Sequence, residues 1–159
     1  MANHYLGNPK LKKANIHIDF SKEEIQEVVK CSKDIVYFCE TYLKIINIDE
    51  GLMPYEPYDY QKNIMHEVND NRFVICKMPR QTGKTTTMVA VILWFVLFNE
   101  SFNCAILANK AGTAREILSR LQMAYEWLPH WMQQGIVEWN KGSLELENGS
   151  KILASSTSS

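Results

Sequence analysis

At 159 residues, with 46% apolar side chains, the chain has the material for one ordinary domain with a core. Seventeen basic residues against eighteen acidic ones leave a formal charge of −1, which excludes a nucleic-acid attraction built on overall charge. No uninterrupted apolar run reaches the roughly 18 residues of a membrane span, and the N-terminus lacks the apolar centre of a signal peptide, so the expected location is the cytosol.

Residues 1–20 are polar, punctuated by Asn8-Pro9, with Lys10, Lys12 and Lys13 close together. They read as a solvated, poorly ordered terminus in preference to a phosphate-contacting arm. Ser21-Lys22-Glu23-Glu24 is a capping box that opens a helix through about Cys31. A second helix is expected from Asp34 to about Ile46, with Ile35, Phe38, Cys39, Tyr42 and Ile46 on one stripe. Ile45-Ile46-Asn47-Ile48-Asp49-Glu50 has the look of a strand ending in a Mg²⁺-binding Asp and a catalytic Glu. Asn47 interrupts its apolar run, so a helix end entering a loop is the preferred reading. Gly51 to Pro57, with two prolines, reads as a turn-rich link.

Tyr58-Asp59-Tyr60-Gln61 then opens a helix through about Val68. Arg72 to Lys77 is short, apolar and β-branched, and predicts a buried strand. Met78-Pro79-Arg80-Gln81-Thr82-Gly83-Lys84-Thr85-Thr86-Thr87 follows, and Met88 to Phe98 continues as an apolar helix of about three turns. Strand, loop, Gly-Lys-Thr and helix form the layout of a P-loop, although Met78 stands where the usual pattern has its first Gly. Such a loop turns its backbone N–H groups toward phosphate, and the helix start adds partial positive charge. The alternative is an ordinary strand–turn–helix, which leaves the crowding of Arg, Lys and three Thr unexplained.

Asn103 to Ala108 predicts a second buried strand, parallel to the first and joined to it through the helix in a βαβ unit. Lys110 and Arg115, at its carboxyl end, are candidates for phosphate or DNA contact as much as for a solvated helix start. Ala111 to about Leu128 is a helix with Ala114, Ile117, Leu118, Leu121 and Tyr125 on one face, stopped by Pro129. Ser143 to Glu147 alternates strictly, and Asn148-Gly149 turns the chain into Lys151 to Ala154, a hairpin. Glu145 and Glu147 are expected on one solvent face. Cys31, Cys39, Cys76 and Cys104 have no Cys-x-x-Cys spacing, and Cys76 and Cys104 fall in predicted strands as small buried hydrophobes. His4, His17, His66 and His130 are scattered and suggest no metal site.

A loop reading Pro-Arg-Gln-Thr-Gly-Lys-Thr resembles that of the large terminase subunit of T4-like tailed bacteriophages. Tyr58-Asp59-Tyr60-Gln61 resembles the adenine-recognition motif of that family. Ala105 to Lys110, Gly135 to Ser143 and Leu144 to Ser156 also look like family sequence, and the resemblance runs from Tyr5-Leu6-Gly7-Asn8-Pro9 to the end.

The resemblance implies an α/β P-loop NTPase of the additional-strand, helicase-like type with a parallel sheet. Residues 1–57 would be a helical lead-in and residues 58–159 the first part of the ATPase domain. Such a core needs about five parallel strands. Fewer are visible here, and the family's Walker B strand, coupling motif and nuclease domain are not found, so the chain reads as an amino-terminal piece. ATP and Mg²⁺ are the implied ligands. Lys84 would hold the β- and γ-phosphates, Thr85 the Mg²⁺, and the backbone of Gln81, Thr82, Gly83, Lys84, Thr85 and Thr86 the phosphate oxygens. Arg80 would be an arginine finger, with a surface salt bridge as its plain alternative, and Gln61 would read adenine, with Tyr58 or Tyr60 stacking on the base. The implied partners are double-stranded viral DNA, the portal protein and the small terminase subunit, in an oligomer on the procapsid portal in the host cytoplasm. A helicase-like translocase and a non-catalytic nucleotide-binding module are the competing readings. The isolated piece is expected to fold partially, bind ATP weakly and hydrolyse little.

Overall fold

The computed structural model describes residues 3–47 and 49–157. Met1, Ala2, Ile48, Ser158 and Ser159 lie outside the described residues. The predicted capping box is present. Ser21 caps helix α1 (Lys22–Lys33), accepting from the Glu24 N–H, while the Glu24 carboxylate accepts from the Ser21 N–H. Asp34 caps α2 (Ile35–Tyr42), which buries Ile35, Phe38 and Cys39.

The second helix ends four residues earlier than its apolar stripe suggests. Lys44–Asn47 is instead strand β1, paired antiparallel with β2 (Gly51–Pro54), which replaces the expected helix end and turn-rich link. Asn47 makes the turn by accepting the Asp49 N–H on its side-chain oxygen, and Gly51 takes φ +75°. Ile46, placed on the buried stripe by the helical period, is therefore an exposed strand residue at 58%.

Helix α3 (Asp59–Asp70) is followed by α4 (Lys84–Phe98). As its uniform apolarity predicts, α4 is the centre of the core, packed against α2, α3 and α5 (Ala111–Glu126). Val91, Leu93 and Val96 are at most 1% exposed. The Trp94 indole N–H donates to the Cys31 carbonyl at 2.7 Å, tying α4 to α1. The C-terminal end of α4 is also held by Asn148, whose amide donates to the carbonyls of Val96 and Asn99.

The sheet has the order β3-β6-β5-β4, from β3 (Asn103–Ala108), β4 (Ile136–Trp139), β5 (Ser143–Leu146) and β6 (Lys151–Ser156). The hairpin turning at Asn148-Gly149 is as predicted, and β3 and β6 are parallel. The remaining pairs are antiparallel, so the sheet is mixed where a parallel one was expected.

The largest departure is at residues 72–77. The expected buried strand pairs with nothing among the described residues: Phe73 is 82% exposed and Ile75 97%. Apolar, β-branched sequence favours extended backbone, but it is buried only where neighbouring strands cover both faces, and none lies beside this segment. The βαβ unit with β3 is accordingly not formed. Strand β3 is an edge strand that buries only Ile106 fully, and Leu107 is 60% exposed. Cys76, expected inside, is exposed, and Cys104 is half-buried.

The N-terminal arm is docked, contrary to the reading of a loose terminus. Leu11 is 2% exposed, and the backbone of Lys12 and Ala14 bonds to Ile136 at the start of β4. Lys12, too, is buried, with its amine 3.3 Å from Glu147. Glu147 also accepts from the N–H groups of Asn15 (3.0 Å) and Gly135 (2.8 Å). It therefore staples the arm to the sheet and does not share a solvent face with Glu145, which pairs with Lys151 at 3.0 Å. Gly135 permits the close approach: a Cβ there would lie 2.5 Å from the Ala14 Cα.

Candidate functional site

The loop from Met78 to Gly83 leads into α4 through two left-handed residues, Gln81 at φ +61° and Gly83 at φ +71°. Gly83 is the N-cap and offers no side-chain oxygen to the first turn. Among the described residues no hydrogen bond occupies the backbone N–H groups from Gln81 to Thr86. A run of open amides at the start of a helix of this length is an anion cradle, because the orphan donors and the helix dipole act in the same direction.

Lys84 brings its amine into this cradle. Its Nζ donates to the Met78 carbonyl at 3.3 Å and to the Pro79 carbonyl. Thr82 donates to the same Pro79 carbonyl at 3.0 Å. The loop is thus closed on the Lys84 cation. The Thr85 hydroxyl has no hydrogen-bond partner among the described residues and stands one residue after Lys84 in the first turn of α4. Arg80 is exposed and forms no ion pair among the described residues, so the surface salt bridge considered for it is not seen.

The loop amides, Lys84 and Thr85 are the residues that could hold a phosphorylated ligand. Among the described residues no group of three His, Cys, Asp or Glu side chains could hold a metal ion. Mg²⁺ commonly takes one or two protein oxygens and completes its shell with phosphates and water, and the Thr85 hydroxyl could serve as one such oxygen. Anchoring of the loop comes from two directions. The Thr87 hydroxyl donates to the Gly83 carbonyl at 3.0 Å and meets the buried Tyr55 hydroxyl at 3.3 Å. From α3, the Tyr60 hydroxyl donates to the Thr82 carbonyl at 3.0 Å. Neither tyrosine contact follows from the sequence, where Tyr55 merely precedes α3 and Tyr60 stands in its first turn, both far along the chain from the loop.

Gln61 also meets the loop. It is 3% exposed, its Oε1 accepts from the Tyr58 N–H at 2.9 Å, and its Nε2 donates to the Thr82 carbonyl at 3.5 Å. The rings of Tyr58 and Tyr60 stack on each other, 5.6 Å apart and 14° from parallel. Lys110 precedes α5 as its N-cap and Arg115 lies in that helix; both are exposed, and no hydrogen bond or ion pair among the described residues joins either to the loop.

An apolar pocket of about 400 Å³ opens beside the first turns of α4. Thr86 and Val89 form its floor, Ile46 and Leu52 of the β1–β2 hairpin one wall, and Met123 and Trp127 the other. No helix among the described residues is long and apolar enough to cross a membrane. The sequence profile of the family described as terminase large subunit, T4likevirus-type, N-terminal, matches residues 75–159, more than half of the chain.

Proposed function

Because this chain belongs to the T4-like family of large terminase subunits, through its N-terminal region, we propose that it is the ATP-binding part of a motor that drives viral DNA into a procapsid. The observation that carries this reading is the open amide run from Gln81 to Thr86 with the Lys84 amine folded beside it. Phosphoryl transfer needs little covalent chemistry from a protein; it needs positioning and charge stabilisation. In this reading the loop amides hold phosphate oxygens, Lys84 exchanges the Met78 and Pro79 carbonyls for the β- and γ-phosphates, and Thr85 supplies a hydroxyl to Mg²⁺. Mg²⁺, when bound with the nucleotide, neutralises charge on the transferring group. Arg80, exposed in the loop and unpaired among the described residues, is available to stabilise that charge as an arginine finger. The P-loop NTPase fold, ATP hydrolysis, DNA translocation, and the portal and small-subunit partners belong to the same proposal and rest on family membership.

Titration of the chain with a fluorescent ATP analogue and Mg²⁺ tests the site. The expected result is saturable binding that weakens at least tenfold in Lys84→Ala with an unchanged thermal melt. Identical curves for the two proteins would remove the assignment.

A further inference from the structure

Two apolar surfaces face each other across the pocket beside α4. In the β1–β2 hairpin Ile46 stands directly opposite Leu52, and Lys44 shares their face two residues back along β1. On α5 Arg120 and Met123, and Trp127 at the helix end, follow at intervals of three and four and so lie on one face. Ile46, Leu52, Met123 and Trp127 are each between 38% and 58% exposed, and they wall the cavity of about 400 Å³. A two-stranded ribbon has little stability of its own, and apolar exposure gathered in one place marks an interaction site. Met, Trp and Arg are also the residues that protein interfaces favour.

The charge around this groove has one sign. Lys44 and Arg120 are among its lining residues, and no carboxylate is. Lys10, from the docked N-terminal arm, holds its amine 4.3 Å from the centre of the Trp127 ring, and the Lys44 amine stands at 5.8 Å. Arg120 is paired with Glu116 at 2.7 Å, whereas neither Lys10 nor Lys44 forms an ion pair among the described residues. Two uncompensated cations therefore flank an apolar floor, and the complementary surface is apolar at its centre and acidic at its edge.

Shape narrows the class further. An extended segment would pair with the edges of the hairpin, but the groove presents the hairpin's face against a helix face, which suits a helix laid between them. Nucleic acid fits less well: Lys10 lies over the Trp127 ring on which a base would stack, and the other walls are not aromatic. We propose that the groove between the β1–β2 hairpin and α5 docks an acidic amphipathic helix of a partner protein, its apolar side chains on Met123 and Leu52 and its carboxylates on Lys44 and Lys10. The proposal is independent of the phosphate-site reading above.

The probe is a capped synthetic helix of about four turns with leucines on one face and glutamates beside them, compared with the same helix carrying lysines for the glutamates. Both are titrated by calorimetry into the full chain. The acidic helix is expected to bind saturably, to shift the Trp127 emission and to weaken as salt is added, and the basic helix to bind about tenfold more weakly or not at all. Met123→Glu and Leu52→Glu, both at exposed positions, should each weaken the acidic helix about tenfold with an unchanged thermal melt. The double variant Lys10→Glu with Lys44→Glu should reverse the preference between the two helices, an outcome that damage to the fold would not produce. Absent or equal binding of the two helices, or binding untouched by both groove variants, would overturn the proposal. So would sedimentation showing self-association that Met123→Glu abolishes, which would give the groove to a second copy, or an oligonucleotide that displaces the acidic helix from the groove.

Discussion

Gln61 and Gly83 meet so closely that a side chain on Gly83 would have to move the Gln61 amide: a Cβ there would lie 2.4 Å from its nitrogen. Gly83 also has φ +71°, a conformation that costs an L-residue about 1–2 kcal/mol. Gly83→Ala therefore strains the backbone and displaces Gln61 at once. The expected outcome is a lower melting temperature together with at least a tenfold loss of tripolyphosphate binding. A variant that melts lower and binds normally would uncouple the two residues.

Ile75 and Val91 are both aliphatic and β-branched, with opposite surroundings. Ile75 is 97% exposed and Val91 1%. Ile75→Lys is expected to change unfolding free energy by less than about 0.5 kcal/mol, as surface substitutions do. Val91→Ala removes packed methyls from α4 and is expected to cost about 1–3 kcal/mol. Urea unfolding of both variants measures the contrast; a large loss in Ile75→Lys would show that residues 72–77 are covered in solution.

The four cysteines should separate by reactivity. Burial, aided by the nearby Glu27 carboxylate, raises the Cys31 thiol to about 12, and burial raises Cys39 further. Thiolate is the reactive form, so both should resist an aromatic disulfide reagent at neutral pH. Cys76 is exposed and should react first, with half-buried Cys104 slower. Peptide mapping after brief labelling gives the order, and early modification of Cys39 would contradict the packing of α2.

Glu147 makes the docking of the N-terminal arm depend on pH. Burial pushes its carboxyl up, but the N–H groups of Gly135 and Asn15 together with Lys12 outweigh that and hold it below the ordinary glutamate value. A carboxyl depressed in the folded state contributes its full stabilisation above its unfolded value, and loses it as pH falls through the folded one. The hydrogen-exchange protection of Ala14 and Ile136, each rate referred to the intrinsic rate at that pH, should thus fall in acid below the ordinary glutamate range. Glu147→Gln should exchange faster at neutral pH, by an opening energy of about 1–2 kcal/mol, and respond less to acid. Identical profiles for the two proteins would remove Glu147 as the staple.

What the sequence discloses here is what depends on near neighbours in the chain. Ser21 and Glu24 mark a helix start because both partners of the capping box lie within one turn. The unbroken apolarity of α4 marks a buried helix because no face of it tolerates water. Asn148-Gly149 marks a hairpin, although nothing in it reveals that Asn148 also holds the end of α4. The misread elements depend on distant ones. Arg72 to Lys77 has the composition of a central strand, but its burial is a property of neighbours and not of its own residues. Glu147 looks like one more polar alternation until Asn15 and Lys12 arrive from the other end of the chain. At the loop, spacing draws attention to Gly83 and Lys84, whereas the inward turn of Gln61 depends on contacts with Gly83 and Thr82 across the fold.

Phe73-Val74-Ile75-Cys76 has a consequence for the behaviour of the molecule in bulk. Four exposed apolar residues have no strand alongside among the described residues, and are bounded by Arg72 and Lys77. An open, uncharged edge of this kind is a template on which a second copy can lay a strand, and like charges at its two ends are the gatekeepers that oppose such stacking. Salt weakens those gatekeepers and leaves the apolar attraction intact. The colloidal stability of the protein is therefore expected to fall as ionic strength rises, the reverse of a protein whose association is driven by opposite charges.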